Sequence, residues 1–420
     1  MPRKCFEVNE LCHPLRWNSF TAPKGIVAGV LMCLFFLSIL FRPSSGFART
    51  ELPCLEKIPG NAGFLVVDSD GTILAQQHPG DQFIPASTLK IVTALAAIHY
   101  LGPSYRFKTL FYLTPGGDLL VKGYGDPFLI SEYWQDIARH ISKSVHSFRD
   151  LLLDDSFFSP AIKIPGQGRS KNPYDAPPGA VCANFNTVFF ARDARGRIVS
   201  AEPQTPMIPF AREKIRKLGE KKGRFAFSHD RRQALLYAGE LFSFFLKKNG
   251  VLRKGSIRSA VLHTQDRLIY THASPLTLRE VIREMFKFSN NFVANQLLLA
   301  AGATTYGGQA TLQKGLDAFL AYVRKELGLR SLEMVEGSGI SRRNHISPRD
   351  MLTVLRRFSA YRDLLPRNGS FHYKTGTLRG IRTRAGYYEK GNGKTGFIVL
   401  FLKSSRRDVD MLVRCFERLF

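Results

Sequence analysis

Residues 83–90 read FIPASTLK and lead into the apolar run IVTALAA at residues 91–97. Pro85 followed by a continuous apolar stretch predicts the start of a helix. Ser87 and Lys90 are three positions apart, and on a helix this spacing brings their side chains to one face, about 5–6 Å apart at Cβ. A hydroxyl and an amine at that separation are suited to act as a nucleophile and its base. A serine at a helix start is also a common cap, and a lysine one turn later is commonly a solvated charge, so the interpretation needs partners elsewhere in the chain.

The composition predicts two or three domains and a strongly basic surface. The chain has 420 residues, with 60 Lys and Arg against 34 Asp and Glu, which give a formal net charge of +26. This charge favours polyanionic partners such as nucleic acid, an anionic membrane surface or acidic glycans. It carries no information about the fold.

The N-terminus predicts export. Residues 26–41 form an uncharged apolar run, which basic residues precede and the linker RPSSGFA follows at residues 42–48. Gly46 and Ala48 occupy the small-residue positions of a cleavage site. Because the run is shorter than the roughly 20 residues of a membrane span, residues 1–48 are interpreted as a signal peptide, with an N-terminal membrane anchor as the alternative. The expected location is the periplasm or cell envelope, where nucleic acid is not expected as a partner.

The cysteines and histidines indicate neither a disulfide framework nor a metal site. Beyond residue 48 the cysteines are Cys54, Cys182 and Cys415, an odd number, and a single disulfide among them cannot be assigned from the sequence. No C-x-x-C, H-E-x-x-H or H-x-H spacing occurs. No metal and no other cofactor is therefore expected.

Hydrophobic patterns predict a sheet that combines both ends of the exported chain. Residues 63–68 and 72–76 form a predicted hairpin around an Asp-Gly turn, and further strands are predicted at residues 383–388 and 396–402. Helices are predicted between them, at residues 231–249, 277–287, 291–300 and 311–327.

The stretch between the first helix and these later helices predicts an inserted domain. Residues 106–227 contain short strand-like pieces that Gly and Pro interrupt, and a basic segment that is interpreted as a solvated helix face. The predicted catalytic domain is therefore discontinuous and consists of residues 49–105 and 228–420.

Two later triplets complete a pattern with Ser87 and Lys90. Ser289-Asn290-Asn291 stands at a predicted helix junction, and Lys374-Thr375-Gly376 opens a predicted strand. S-x-x-K, S-x-N and K-T-G in this order are the signature of penicillin-binding proteins and serine β-lactamases. A second K-T-G at residues 394–396 follows Gly-Asn-Gly and is interpreted as a hairpin turn.

The chain most resembles the class C low-molecular-mass penicillin-binding proteins, the D-alanyl-D-alanine carboxypeptidase/endopeptidase family. Nearly 200 residues separate Lys90 from Ser289, an insertion typical of that family and absent from β-lactamases. Two positions differ from the family pattern, since Asn290 and Glu336 stand where aspartate is usual. Further stretches support the resemblance, at residues 84–90, 123–127, 154–158, 176–178, 274–276 and 336–342.

The resemblance implies a fold of the α+β/α/β class. This is the penicillin-binding-protein/serine β-lactamase-like transpeptidase fold, an antiparallel sheet flanked by helices, with an inserted mixed α/β domain between the first and second motifs. It also implies a serine-type D-Ala-D-Ala carboxypeptidase or endopeptidase that acts on peptidoglycan stem peptides and binds penicillin. Expected partners are the stem peptides, β-lactams as acylating inhibitors, and the anionic envelope surface. A serine β-lactamase and a non-catalytic cell-wall or polyanion-binding protein stay open as alternatives.

The motifs assign a role to each catalytic candidate. Ser87 is expected to form the acyl-enzyme and Lys90, kept neutral by burial and nearby cations, to act as its base. Ser289 is expected to relay a proton to the leaving amine, bridging towards Lys374. Asn291 is expected to hydrogen-bond the amide backbone of the substrate.

The K-T-G strand is expected to bind the peptide by antiparallel strand addition. Thr375 and Thr377, with the charge of Lys374, are expected to hold the terminal carboxylate of the substrate. The backbone N–H groups of Ser87 and Thr377 are the predicted oxyanion hole. Gly376 is expected to leave room for the approaching peptide.

Overall fold

The computed structural model describes residue 58 and residues 60–417, except for residues 169, 228, 229, 392, 404 and 405. The predicted signal peptide or anchor at residues 1–48 lies outside this part. Within it, no helix has the length and apolar character needed to cross a membrane.

Strands occur between residues 63 and 273 and again between residues 367 and 402. In chain order they are β1 (Gly63–Val67), β2 (Ile73–Gln77), β3 (Lys108–Leu113), β4 (Leu119–Gly123), β5 (Ser147–Phe148), β6 (Leu151–Asp154), β7 (Thr187–Arg192), β8 (Ile198–Ser200), β9 (Lys222–Ala226), β10 (Leu252–Arg253), β11 (Ile257–Ser259), β12 (Arg267–Ala273), β13 (Arg367–Asn368), β14 (Phe371–Leu378), β15 (Ile381–Glu389) and β16 (Thr395–Leu402).

Helices separate the groups of strands. The α-helices are α1 (Lys90–Leu101), α2 (Ser131–Ile141), α3 (Pro209–Arg216), α4 (Arg231–Lys248), α5 (Leu278–Phe288), α6 (Asn291–Tyr306), α7 (Leu312–Glu326), α8 (Pro348–Phe358) and α9 (Arg406–Glu417). Short 3₁₀-helices occupy Ala86–Leu89, Pro173–Asp175, Asn184–Asn186 and Ser359–Leu364.

The main sheet is antiparallel and unites the two ends of the described chain, as the strand pattern predicted. Its order is β13-β14-β15-β16-β1-β2, so that the first strand pairs with the last one. The β1–β2 hairpin closes through a hydrogen bond of 2.8 Å from the N–H of Asp68 to the carbonyl of Thr72. Gly71 has φ +95°, a left-handed conformation that glycine adopts without steric cost.

Both faces of this sheet are covered by helices. Successive side chains of a strand point to opposite faces. Phe64 and Val66 of β1 accordingly belong to a cluster with residues of α9, whereas Leu65 and Val67 pack with Leu352 of α8. Every residue of β1 is buried, as expected for a strand between two layers of helices.

Helix α1 lies in the centre of the helical part. It contacts α5, α6, α7 and α8, and its residues 90–98 are all buried. Helix α6 is buried along residues 292–303. Helices that are apolar on all sides belong in the core, and each fully buried Leu, Ile or Phe side chain contributes roughly 1.5–3 kcal/mol to folding. The start of α1 is therefore firmly held.

A second, mixed sheet forms between α1 and α5. Its order is β11-β6-β4-β3-β12, with helices α2 and α4 packed together beside it and a separate three-stranded sheet in the order β8-β7-β9. Strands β11 and β12 pair with β6 and β3 of the predicted insertion although they follow residue 227. We therefore propose that the insertion begins near residue 106, as predicted from the sequence, and ends after Ala273.

The cysteines differ in their state. Cys182 is a buried free thiol, and burial holds its pKa well above the usual value. Cys415 is disulfide-bonded. Cys54 lies outside the described residues.

Candidate active site

Ser87 lies in the short 3₁₀-helix Ala86–Leu89, directly before α1. The predicted helix start is therefore present, but its N-cap is Pro85, and Ser87 lies inside the turn. Ala86 has φ +48°, a strained conformation for a residue with a Cβ atom. The strain coincides with the close approach of Gly339, where a Cβ atom would collide with the carbonyl of Ala86. Packing from a distant loop thus shapes the turn that presents Ser87.

Lys90 opens α1 and is completely buried. Its Nζ lies 3.0 Å from Ser87 Oγ, 2.7 Å from Asn291 Oδ1 and 2.7 Å from the carbonyl oxygen of Ser338. Burial, and then the charge of Lys374, hold the pKa of Lys90 well below its usual value, while Glu336 opposes the shift. The predicted pair of nucleophile and base is therefore in contact.

The three neighbours of Lys90 can accept from its ammonium form, and the neutral form can contact all three as well. A neutral amine has two N–H donors and one lone pair. Asn291 Oδ1 and the Ser338 carbonyl are acceptors only, so they take the two N–H groups. The lone pair then faces the hydroxyl of Ser87, which is the arrangement needed for proton transfer from Ser87 to Lys90.

The second motif connects α5 to α6. Ser289 has φ +52° and ends α5, and Asn290 Oδ1 caps α6 by accepting a hydrogen bond of 3.2 Å from the N–H of Val293. Asparagine caps a helix as well as aspartate does, which explains why Asn290 is tolerated where aspartate is usual. Ser289 and Asn291 line the same cavity as Ser87. Within the described residues Ser289 makes no hydrogen bond to Lys374, so its role as a relay stays a prediction.

Lys374 lies on β14 and is 1% exposed. Its Nζ donates a hydrogen bond of 2.6 Å to the carbonyl of Thr375. Burial, and then the charge of Arg384, lower the pKa of Lys374 to about 7. Near neutral pH this side chain therefore exchanges between its charged and neutral forms.

Gly376 is needed for a reason that differs from the one predicted. A Cβ atom there would collide with Oγ1 of Thr383, and it would lie 2.9 Å from the carbonyl of Pro85 and 2.9 Å from the N–H nitrogen of Ser87. The glycine therefore allows β14 to approach the turn that carries Ser87. That Gly376 also leaves room for the approaching peptide stays a prediction.

A loop that sequence reasoning did not assign to the site closes its floor. Glu336 is completely buried, and its carboxylate accepts hydrogen bonds from several residues of the loop at 338–344. The carbonyl that contacts Lys90 belongs to this loop, as does the backbone at Gly337 that accepts a hydrogen bond of 2.6 Å from Thr93. The signal for this loop in the sequence is an acidic residue inside a glycine-rich stretch, Glu-Gly-Ser-Gly at residues 336–339. The carboxylate accepts hydrogen bonds from the N–H groups of Ser338, Gly339 and Ser341, from Ser338 Oγ and from Asn344 Nδ2.

The cavity above Ser87 has a volume of about 560 Å³. Tyr174 of the insertion lines it, together with Ile340, Thr377, Arg379 and residues of the first and second motifs. Beyond His372, no strand among the described residues pairs with the outer edge of β14. An open edge beside a nucleophile is suited to bind an extended peptide. Tyr174 and Arg379 were not predicted as site residues.

Two further predictions concern groups away from this cavity. Residues 390 and 394 close a turn through a hydrogen bond of 2.8 Å, so Lys394 of the second K-T-G lies in the predicted hairpin turn, whereas Thr395 and Gly396 begin β16. Among the described residues, no group of three or more His, Cys, Asp or Glu is arranged to hold a metal ion.

Comparison with sequence families finds one match that covers most of the chain. The family described as D-Ala-D-Ala carboxypeptidase 3 (S13) matches residues 53–223 and 217–366. A D-alanyl-D-alanine carboxypeptidase DacB of Haemophilus influenzae is 25% identical over 441 residues, which are 88% of this chain and 91% of that protein. A D-alanyl-D-alanine carboxypeptidase of Actinomadura sp. is also 25% identical, over 88% of this chain and 84% of that protein.

Comparison with solved structures confirms the predicted fold class. The crystal structure of penicillin binding protein 4 (dacB) from Haemophilus influenzae superimposes with a TM-score of 0.70 at 24% identity, over 84% of this chain and 93% of that one. The same protein complexed with a β-lactam gives a TM-score of 0.65 at 22% identity, with the same coverage. A predatory endopeptidase from Bdellovibrio bacteriovorus gives a TM-score of 0.50 at 19% identity, over 84% and 91% of the two chains.

Proposed function

Because the chain belongs to the D-Ala-D-Ala carboxypeptidase 3 (S13) family, we propose that Ser87 is its nucleophile and forms an acyl-enzyme with peptidoglycan stem peptides. The family and the class of enzyme predicted from the three motifs are confirmed by this match and by the curated relatives. The substrate is a stem peptide that ends in D-Ala-D-Ala, and the bond cleaved is the one between these two residues.

The contact between Lys90 and Ser87 supports this proposal most directly. Lys90 Nζ contacts Ser87 Oγ, and burial holds the pKa of Lys90 well below its usual value, which favours the neutral form that a base needs. A surface lysine beside a capping serine, the alternative that the first motif left open, would be solvated. Lys90 is instead 0% exposed.

Acylation follows from the positions of these groups. Lys90 accepts the proton of Ser87 while Oγ bonds to the carbonyl carbon of the penultimate D-Ala. The N–H groups of Ser87 and Thr377 stabilise the oxyanion, and the N–H of Ser87 has no backbone acceptor among the described residues. When the C–N bond breaks, Lys90 returns its proton to the leaving amine through Ser289. Asn291, whose Oδ1 accepts from Lys90, offers Nδ2 to the peptide.

Hydrolysis of the ester uses the same base. After D-Ala has left, Lys90 removes a proton from water, the hydroxide attacks the ester carbonyl, and the proton returns to Oγ of Ser87 as the shortened peptide is released. A β-lactam acylates the same oxygen and blocks this second step. Cleavage of a cross-linking D-Ala bond uses identical steps with a larger amine as leaving group, which makes endopeptidase activity part of the proposal.

We propose that the enzyme acts in the cell envelope, because its proposed substrate is a peptidoglycan stem peptide. The predicted signal peptide or anchor at residues 1–48 and the net charge of +26 support export and attraction to anionic envelope polymers. Retention on sacculi or anionic vesicles that weakens with rising salt is the expected behaviour. Retention that does not depend on salt would count against this electrostatic association.

Fluorescent penicillin tests the proposed function. We expect the wild-type protein to form a stable covalent adduct and Ser87→Ala to form none. Absence of a serine-dependent adduct would refute the proposal, and rapid turnover of the penicillin would instead identify a β-lactamase. Release of free D-Ala from a pentapeptide then measures carboxypeptidase activity, and cleavage of a cross-linked dimer measures endopeptidase activity.

A further inference from the structure

A second cavity adjoins the one above Ser87 and lies between the insertion and the junction of α5 and α6. Its volume is about 480 Å³. Tyr174, Ser289 and Asn291 line both cavities, so the two spaces meet at the second motif. Among the described residues, none of those that line the second cavity belongs to β14. The second cavity therefore extends the active site away from the K-T-G strand.

Aromatic side chains form much of the wall of the second cavity. Phe128 and Phe185 line it, with their rings edge to face and the centroids 5.2 Å apart. Tyr174 and Phe288, which also line it, are 50% and 66% exposed. Phe288 is the last residue of α5 and directly precedes Ser289. Exposed aromatic rings beside a catalytic motif are suited to pack against a hydrocarbon part of a ligand.

Phe185 is held in place by the residues on either side of it. Asn184, Phe185 and Asn186 have φ values of +49°, +60° and +55°, a left-handed conformation that costs energy for residues with a Cβ atom. Asn184 Nδ2 donates a hydrogen bond of 2.9 Å to Ser131 Oγ. Asn186 Nδ2 donates one of 2.9 Å to the carbonyl of Pro177. These contacts hold the strained turn, so this wall of the cavity is formed before a ligand binds.

The charged side chains of the wall are paired. Arg224 forms an ion pair with Glu202, and its Nη1 donates a hydrogen bond of 3.1 Å to Thr187 Oγ1. Glu284 Oε2 lies 3.7 Å from Nζ of Lys287. Because these charges already have partners, the cavity favours hydrocarbon and amide groups of a ligand over a charged group.

Asn290 supplies a free hydrogen-bond donor at this cavity. Its Oδ1 accepts from the N–H of Val293, which fixes the orientation of the amide, and its Nδ2 has no partner among the described residues. Asn290 lines the second cavity. An aspartate at this position has acceptors only when ionised, whereas the asparagine of this chain offers an N–H group. A ligand with a carbonyl oxygen satisfies that donor.

We propose that the second cavity binds the second stem peptide of a cross-link, which is the leaving group in endopeptidase action. The inference rests on the proposed function and names residues that favour a cross-linked substrate over a single stem peptide. A free D-Ala leaving group ends at a methyl group. A cross-link instead joins the D-Ala carbonyl to a side-chain amine of another peptide, so hydrocarbon and then amide groups follow the bond that is cleaved. The aromatic wall matches the hydrocarbon part, and Asn290 matches an amide carbonyl.

The order of groups along the cleft supports this position. The acyl part of the substrate is expected to pair with β14. The leaving amine is expected at Ser289, which relays its proton. Groups attached to this amine that β14 does not hold extend past Ser289, and the second cavity begins there. A volume of about 480 Å³ is typical of ligand sites and far exceeds that of a methyl group.

A pentapeptide monomer and a cross-linked dimer of stem peptides test this subsite. We measure kcat/KM for both from the products released, per active site labelled by fluorescent penicillin, and compare the ratio of dimer to monomer. Phe288→Ala is expected to lower this ratio about 10-fold, because an aromatic contact with the second stem is lost. Asn290→Asp keeps the helix cap but replaces the free donor with an acceptor, and it is expected to lower the ratio about fivefold.

Phe244→Ala is the matched control. It removes a ring that is 42% exposed on α4 and does not line the cavity, so the ratio should stay at the wild-type value. Counting only penicillin-labelled sites removes the effect of poor folding. An unchanged ratio in either test variant, or a wild-type enzyme that releases D-Ala from the monomer and leaves the dimer intact, would overturn the proposal. Failure of the proposed function differs from both, since the wild-type enzyme would then cleave neither substrate in a Ser87-dependent manner.

Discussion

Replacing Lys374 with methionine tests whether burial keeps this lysine close to neutrality. Methionine has a similar length and no charge, so it fills the same buried space on β14. Lys374 is 1% exposed, and its pKa is about 7 in the folded protein against 10.5 for a free lysine. The folded state therefore binds a proton at this site more weakly than the unfolded state.

The magnitude follows from the two pKa values. Below pH 7 both states carry the proton, and the folded state bears the full cost of the buried charge, about 5 kcal/mol for a difference of 3.5 units. Between pH 7 and pH 10.5 the folded lysine is neutral while the unfolded one is charged, so the stability contributed by this site rises with pH. From pH 6 to pH 9 the wild type gains about 2.5 kcal/mol relative to Lys374→Met, which has no titrating group at this position.

Urea unfolding at pH 6, 7, 8 and 9 under constant salt measures this change. The free energy of unfolding of Lys374→Met minus that of the wild type should shrink steadily with rising pH. Lys108→Met, at an exposed position on β3, is the matched control and should give a constant difference. Fluorescent penicillin should label Lys374→Met at least about 100-fold more slowly, because a group that acts on the reacting substrate is lost.

A constant difference between the two proteins from pH 6 to pH 9 would refute the reasoning, since Lys374 would then titrate like an exposed lysine. The opposite slope, with the variant gaining stability relative to the wild type as pH rises, would contradict it as well. Normal penicillin labelling of Lys374→Met would show that Lys374 is not one of the catalytic residues.

Other variants address the remaining parts of the site. Lys90→Met should fold and form no penicillin adduct. In the wild type the rate of penicillin labelling should fall as the pH is lowered, because the pKa of Lys90 lies below its usual value and the neutral form is lost on protonation. A rate independent of pH on the acid side would contradict the role of Lys90 as base. Gly376→Ala should lower both the acylation rate and the free energy of unfolding, by about 1–3 kcal/mol in urea titrations, because its methyl group meets Thr383 Oγ1; unchanged values would show that β14 has room to move. Glu336→Gln should lower the free energy of unfolding by about 3 kcal/mol in the same titrations and slow acylation. An amide group cannot accept hydrogen bonds from all the N–H donors of the loop that holds the Ser338 carbonyl. A loss of stability without slower acylation would show that this loop does not contribute to catalysis.

The main elements of the fold were predictable because they depend on local patterns. The Asp-Gly turn gives the β1–β2 hairpin, and the apolar run after Ser87 gives the buried helix α1. Helix α8 was not predicted, although Ser347 followed by Pro348 is a standard helix start. The end of the insertion was also beyond reach, because strands β11 and β12 are assigned to it only by pairing with distant strands.

The sequence by itself determined which residue types are available for the reaction. Ser87, Lys90, Ser289, Asn291 and Lys374 occur at the spacings of three motifs, and such spacings are legible without a structure. The same motifs, with the large insertion between the first and second, pointed to the family that the comparisons confirm. They predicted an acyl-transfer site, but not the burial, the contacts or the pKa shifts of its groups.

The tertiary structure alone determined the hydrogen-bond partners and the pKa shifts of these groups. Asn291 is 201 positions from Lys90 and the Ser338 carbonyl is 248 positions away, yet both accept its hydrogen bonds. The pKa of a lysine depends on how much water the surrounding chain excludes and on which charges it brings near, and neither is a property of neighbouring positions in sequence. For the same reason the cavity between the insertion and the junction of α5 and α6 became visible only once these elements were packed together. Local pattern supplied the candidate reactive side chains of this enzyme, and long-range packing buried Lys90 and lowered its pKa.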